Sequence, residues 1–431
     1  MRELTPRSPR LETCLFVVVL LLQLTSIMLL VQPMRVGLCP DGTVRVPEDF
    51  ARVAWAVGNA SEGSTILIGP GNYSESQIVV SKSLTIVGRD ADAVVLNGSG
   101  TANYMFHVMA DNVAIRNLTL LNTNPDNFSY SPAVRVSSSA NASVEDVKIR
   151  AVLYGVEVYG SNFTSVRRCW FSNCTFASVW LHFGSLNSTL SGNRFENNFA
   201  AIYVADASSK FTAVCHNDFV DNTQQVLDMS GSCILDNGYP SGGNYWSDHL
   251  AADAKSGPQQ NETGSDGILD EMCPLGDRYP WAFPITSLTF FDGACEVRVS
   301  TNTTLASGGF NQSSKTLSLA VFADGDTCAF RVAVPKNMLY CDNIGDWVVK
   351  ASENGGSPQT LERLAQDDDK YTYLYFVFNG TADAVVQIVG TVALPELNLM
   401  MLAVLLAFSA FSVVVLRKRL RKPPVQVRQN A

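Results

Sequence analysis

The sequence predicts an all-β chain: a right-handed parallel β-helix followed by a small β-sandwich, with an N-terminal signal or anchor and a C-terminal transmembrane helix. Three observations predict it. A V-x-V type pair recurs at Val134/Val136, Val156/Val158, Val179/Leu181 and Ile202/Val204, in steps of 22, 23 and 23 residues. A second apolar column falls within the same repeats, and an uncharged run closes the chain before a basic tail. Short alternating apolar runs make strands, and one such repeat cannot bury its apolar face alone. Stacked coils share a core, with like positions about 4.8 Å apart. A β-sandwich with evenly spaced strands is the competing arrangement, but its strands do not keep a register of this period.

Phe106/Val108 precedes the first series, after which Asn122 to Pro132 adds about one turn of loop. The second column runs Leu118/Leu120, Val147/Ile149, Cys169/Phe171, Asn193/Phe195, Asn217/Phe219 and Asn237/Tyr239. Its later members share N-x-F-x-x-N, as in Asn193-Arg194-Phe195-Glu196-Asn197-Asn198. Asparagine tolerates left-handed turn geometry, and its amide can bond the neighbouring rung. About seven coils are expected between Ile66 and Tyr239. Before them, Phe50, Val53, Ala54 and Val57 have helical spacing, with Gly58 placed to close the helix; this helix is expected to cap the open end of the coils. The expected organisation is a signal sequence or signal anchor over 1–33, the β-helix with its cap over 40–240, a loop-rich closing segment over 241–286, a sandwich over 287–392, a transmembrane helix over 395–416 and a cytoplasmic tail over 417–431. The sandwich rests on alternating strands such as Thr316 to Val321 and Tyr371 to Phe378.

Composition narrows function. Of 431 residues, 46% are apolar and 16% charged, which excludes a disordered polar chain. Between residues 34 and 393 there are 22 Lys and Arg against 37 Asp and Glu. So acidic a body repels phosphate backbones and argues against nucleic acid as a partner. Leu15 to Val31 follows three arginines and reads as a leader or anchor. Leu397 to Leu416 is twenty residues without a charge, long enough to span a bilayer. Arg417-Lys418-Arg419 follows, which places that end in the cytoplasm and the body outside. Thirteen N-x-S/T sequons agree, at Asn59, Asn72, Asn97, Asn117, Asn127, Asn141, Asn162, Asn173, Asn187, Asn261, Asn302, Asn311 and Asn379. Nine of ten cysteines lie in the outside segment, where Cys328 with Cys341 and Cys273 with Cys295 are the expected disulfides.

The segment after the coils is the most distinctive. Ser241-Gly242-Gly243-Asn244-Tyr245-Trp246-Ser247-Asp248 is followed by Gly264-Ser265-Asp266-Gly267-Ile268-Leu269-Asp270 and by Asp277-Arg278-Tyr279-Pro280. This succession resembles the NosD-like family of β-helix proteins, especially its archaeal cell-surface members. The resemblance covers most of residues 45–422. It implies an extracytoplasmic protein, and the family name implies copper delivery, a role that does not transfer with the fold.

Four candidate sites follow. Met105-x-His107-x-Met109 would set three copper ligands on one strand face. Asp248, Asp253, Asp266 and Asp270 gather oxygen ligands suited to calcium, though without a D-x-D-x-D-G spacing. The coil carboxylates Asp146, Glu157, Glu196, Asp206, Asp218 and Asp221 share no column, which argues against laddered catalytic acids. Tyr154, Tyr159, Trp170 and Trp180 are placed to stack on sugar rings. The leading expectation is therefore a membrane-tethered protein that binds a glycan or an envelope protein without catalysis. A polysaccharide lyase or hydrolase and copper handling are the alternatives.

Overall fold

The computed structural model describes residues 42–100, 103–121, 131–291, 293–323, 327–380 and 383–393. Both apolar terminal runs, residues 1–33 and 395–431, lie outside the described residues. Among the described residues no helix is long and apolar enough to cross a membrane.

Three parallel sheets of eight, seven and eight strands carry the coils, and two antiparallel five-stranded sheets follow. The chain divides into two compact units. The first holds residues up to Ser188 with Asn198–Lys210 and Leu227–Ser230. The second holds Thr189–Asn197, Phe211–Val226 and everything from Gly231 on.

In the first unit the V-x-V register is the observed one. Val134 pairs with Val156, Val156 with Val179 and Val179 with Ile202, all parallel. Phe106 pairs with Val134 one coil earlier. The apolar members are buried, and each buried Val, Ile or Leu contributes about 1.5–3 kcal/mol. Leu120, Ile149 and Phe171 stack likewise in the third sheet. Gly155 has no alternative: a Cβ there would stand 2.3 Å from the Ser178 carbonyl oxygen. The corner after the second sheet is held by a serine ladder. Ser139 N donates to Ser161 Oγ at 3.2 Å, Ser161 N to Ser185 Oγ at 3.3 Å and Ser185 N to Ser209 Oγ at 3.1 Å. These buried hydroxyls satisfy amides that the tight corner would otherwise strand.

The expected cap helix forms over Val53–Asn59 and runs one residue past Gly58. It packs on the strands Thr43–Val46, Thr65–Ile68 and Ile78–Val80. No side chain of its own caps its start. Glu75 does so from the first coil, accepting from Val53 N at 2.8 Å and Ala54 N at 3.0 Å.

In the second unit an asparagine ladder explains N-x-F-x-x-N. Asn193 Nδ2 donates to Asn217 Oδ1 at 2.9 Å, and Asn217 Nδ2 to Asn244 Oδ1 at 3.0 Å. The last Asn of the motif reaches back instead: Asn222 Nδ2 donates to the Phe195 carbonyl at 2.9 Å. Between the asparagines, Phe195 stacks on Phe219 at 5.2 Å and Phe219 on Trp246 at 4.3 Å. The last rung is therefore Asn244/Trp246, not the expected Asn237/Tyr239. Tyr239 lies on a loop, where its hydroxyl donates to Asp266 Oδ2 at 2.8 Å.

The antiparallel sheets form the expected sandwich. Its core includes Val297, Val299, Leu317, Leu319, Phe330, Val332, Trp347, Leu374, Phe376 and Ile388. Neither expected disulfide is present, since Cys273, Cys295 and Cys341 are thiols. Cys295 Sγ lies instead 3.7 Å from Asn337 Oδ1, and burial in the sandwich raises the pKa of the Cys341 thiol.

Candidate binding face and closing lock

The x position of each V-x-V points outward, and the register stacks these positions. His107, Arg135, Glu157, Trp180 and Tyr203 form one column across five coils. Ser137, Tyr159 and His182 form the next. The two columns interlock. His107 Nε2 is 3.1 Å from Ser137 Oγ, and Arg135 Nε donates to the same hydroxyl at 3.0 Å. Arg135 Nε also lies 3.5 Å from Glu157 Oε2, and His182 Nε2 is 2.7 Å from Glu157 Oε1.

Glu157 is 0% exposed although it sits on the outer face of its sheet. Burial raises its pKa, and the bond from His182 only partly opposes this. Burial and the Arg135 charge lower that of His107. A buried carboxylate between a guanidinium and an imidazole costs desolvation, repaid only when its partners are well placed. Rings enclose it. Tyr154 stacks on Trp180 at 4.7 Å, Trp180 on His182 at 3.9 Å, and Tyr159 meets His182 edge-on at 5.2 Å. The faces of Trp180 are thus taken by its neighbours, contrary to the expected sugar stacking, and the pile presents ring edges. Trp170 has Lys148 and Arg150 within about 6 Å of its ring centre. Among the described strands of this sheet the carboxylates are Glu157 and Asp228, and Asp228 closes the seventh strand, where it accepts from Ser230 N at 2.8 Å and Ser230 Oγ at 2.6 Å.

Glu157 was among the carboxylates picked from sequence. Its partners Arg135 and His182 were not. The repeat steps that align the valines also align residues 135, 157 and 180, so the column was available from spacing alone. Asp146, another of those carboxylates, accepts twice from Arg168, both at 2.8 Å.

The copper triad does not share a face. The strand begins at Phe106, so Met105 falls outside its alternation and is fully buried, while Met109 is 54% exposed. His107 is bound into the network above. The four aspartates do not converge either. Asp253 accepts from the amides of Asp266 and Gly267 at 3.0 and 2.9 Å, and burial pushes its pKa up to about 6. Asp266 accepts from Tyr239 and from Ile268 N, and Asp270 from Lys255 N at 3.0 Å. Asp248 is exposed. These carboxylates shape loops by taking backbone amides. Among the described residues no three His, Cys, Asp or Glu side chains are grouped to hold a metal.

The distinctive closing motifs build a lock in the second unit. Asp277 is fully buried; its Oδ2 accepts from Asn244 N at 2.7 Å and Trp246 Nε1 at 2.9 Å, and its Oδ1 from Tyr279 N at 3.1 Å. Gly243 is required beside it, because a Cβ there would be 1.9 Å from Asp277 Oδ1. Arg278 pairs with Asp236 at 2.7 Å. Arg331 of the sandwich bonds the carbonyls of Asp266 and Pro240, with Trp281 and Tyr373 rings 5.4 and 5.2 Å from its guanidinium. The most specific sequence motif therefore ends the coil stack and anchors the sandwich to it.

Of the described sequon asparagines none is buried. Asn97, Asn117 and Asn162 are half-buried, Asn59, Asn72, Asn141, Asn173, Asn187, Asn261, Asn302, Asn311 and Asn379 are exposed, and Asn127 lies outside the described residues.

No curated protein matches the chain. Among solved structures, the pectin methylesterase PemA from Erwinia chrysanthemi is 13% identical with a TM-score of 0.34, over 60% of this chain and 84% of that one. The catalytic domain of a GH87 alpha-1,3-glucanase in complex with nigerose is 16% identical with a TM-score of 0.35, over 44% of this chain and 35% of that one. This chain thus spans about a third of the glucanase domain. A tailspike protein from the Acinetobacter baumannii bacteriophage Fri1, a capsular polysaccharide depolymerase, is 9% identical with a TM-score of 0.20, over 82% and 83%. At these identities the likenesses carry nothing about activity. The family described as periplasmic copper-binding protein (NosD) matches residues 57–251, the span of the coils and the first closing motif. With that match and the stacked parallel register, the coil region of this chain is a NosD-like right-handed parallel β-helix.

Proposed function

We propose that this is an extracytoplasmic protein, tethered to a membrane by Leu397 to Leu416, whose β-helix binds glycans without cleaving them. The observation that carries the reading is the outward network His107–Ser137–Arg135–Glu157–His182, with ring edges around it. Fixed imidazole, guanidinium and phenol edges suit sugar hydroxyls, and the acidic body disfavours polyanionic nucleic acid. Glycoside cleavage through two carboxylates needs a pair about 5–9.5 Å apart across the bond. Along the outward column Glu157 is the one carboxylate, held by Arg135 and His182, while Asp228 at the end of the sheet's seventh strand is taken by Ser230. The role of Glu157 is to fix Arg135 and His182.

The full chain is to be tested on a glycan array and by product analysis. Binding without shortened chains, weakened at least tenfold by Arg135→Ala, is the expected result. Shortened polysaccharide would instead make the protein a cleaving enzyme. Absence of binding to any glycan overturns the reading.

A further inference from the structure

At the corner that follows the serine ladder, successive coils place Asn112, Asn141, Phe163 and Asn187 one above another. The preceding residues bridge in parallel, Ala140 to Asn162 to Leu186 to Lys210. Phe163 N donates to the Leu186 carbonyl at 2.9 Å and Asn187 N to the Lys210 carbonyl at 3.0 Å. All four residues are left-handed, with φ of 57°, 58°, 57° and 55°. Asparagine adopts that geometry readily; a bulky aromatic does so at a cost of roughly 1–2 kcal/mol.

Phe163 is nevertheless kept there and is 56% exposed. Its ring stacks on no other among the described residues. One coil on, about 4.8 Å away at strand spacing, stands Asn187, exposed, with Ser188 and Thr189 completing a sequon. The Asn187 side chain makes no hydrogen bond among the described residues. The Asn141 amide, by contrast, donates to Asn112 Oδ1 at 3.1 Å, away from Phe163. We infer that Asn187 carries an N-linked glycan and that its first sugar lies with its C–H face on the Phe163 ring. That contact removes the exposed apolar surface and offsets the strained backbone. The glycan here is this chain's own modification, so the inference rests on the extracytoplasmic placement proposed above and not on the glycan-binding reading.

The test uses the full chain from a host that glycosylates secreted proteins, with occupancy mapped by mass spectrometry. Asn187 is expected to be occupied, with nuclear Overhauser contacts between its first sugar and the Phe163 ring. Phe163→Ala is expected to lower Tm by about 2–4 °C in the glycosylated chain and to leave it unchanged or higher when Asn187→Gln removes the glycan. Equal shifts in the two backgrounds overturn the inference, as does an empty Asn187 beside occupied sequons elsewhere. A chain with no sequon occupied overturns the extracytoplasmic placement as well.

Discussion

Single residues settle how this chain's coil stack ends. Asp277 takes three donors into a buried carboxylate, two of them from the last rung. Asp277→Ala strands all three, so a loss of about 3 kcal/mol is expected, read as a lower urea midpoint with an unchanged m-value. The sequence showed the motif but not its partner, because Asp277 and Asn244 are brought together only by the fold. The sequons teach the opposite lesson. Asn117, Asn141, Asn173 and Asn187 all sit at left-handed corners, where the backbone itself favours asparagine. A serine or threonine two residues later, as at Ser143 and Thr189, begins the next strand. Part of the sequon density is thus turn chemistry, and only exposure and surroundings single out individual sites.

At the scale of elements, the ladders separate two kinds of asparagine. Asn217 accepts from Asn193 and donates to both Asn244 and the Leu190 carbonyl, whereas Asn222 mainly ties one carbonyl and Gln225. Asn217→Ala is expected to cost about 2 kcal/mol and Asn222→Ala about 1 kcal/mol, measured by equilibrium unfolding. Gly155→Ala must push the Ser178 carbonyl away and is expected to cost at least as much as Asn217→Ala in the same assay. Strand register was legible because apolar positions repeat at a near-constant period. The last rung was misread because Asn237-Gly238-Tyr239 repeats the Asn-x-aromatic form of the column, 20 residues after Asn217, while the chain loops out between Leu235 and Gly243 before Trp246 completes the stack. Cysteine counting does not locate partners: Cys295 and Cys328 lie in one sandwich core with Cys341 packed against it.

For the molecule as a whole, buried titrating groups set the pH response of the second unit. Burial raises Asp218 to about 7 and Asp277 and Asp253 to about 6, against an ordinary value of 3.8. Between about pH 4 and 7 the folded form therefore holds more protons on these groups than the unfolded chain, and their share of stability grows as pH falls. His216 acts the other way. It is buried beside Trp281 and its pKa lies well below 6.5, so the unfolded chain gains the proton first and stability falls below pH 6.5. Three carboxylates against one imidazole predict a net gain from pH 7 to pH 5, measured by urea unfolding, and a larger gain in a His216→Gln variant. A fall in stability over that range in both proteins would contradict the pKa directions. Asp236, with a lowered pKa, stays ionised in both states over this window and does not enter.

The serine corner has one more consequence. Since the turns from Ser139 to Ser209 repeat one amide-to-hydroxyl handover, these successive turns share the same joint. Evolution, or a designer, could duplicate or excise one period of residues and leave the neighbouring turns able to join. The outer-face network is not carried by one period: Glu157 is held by Arg135 from the turn before and His182 from the turn after, so moving it to another stack means moving three turns together.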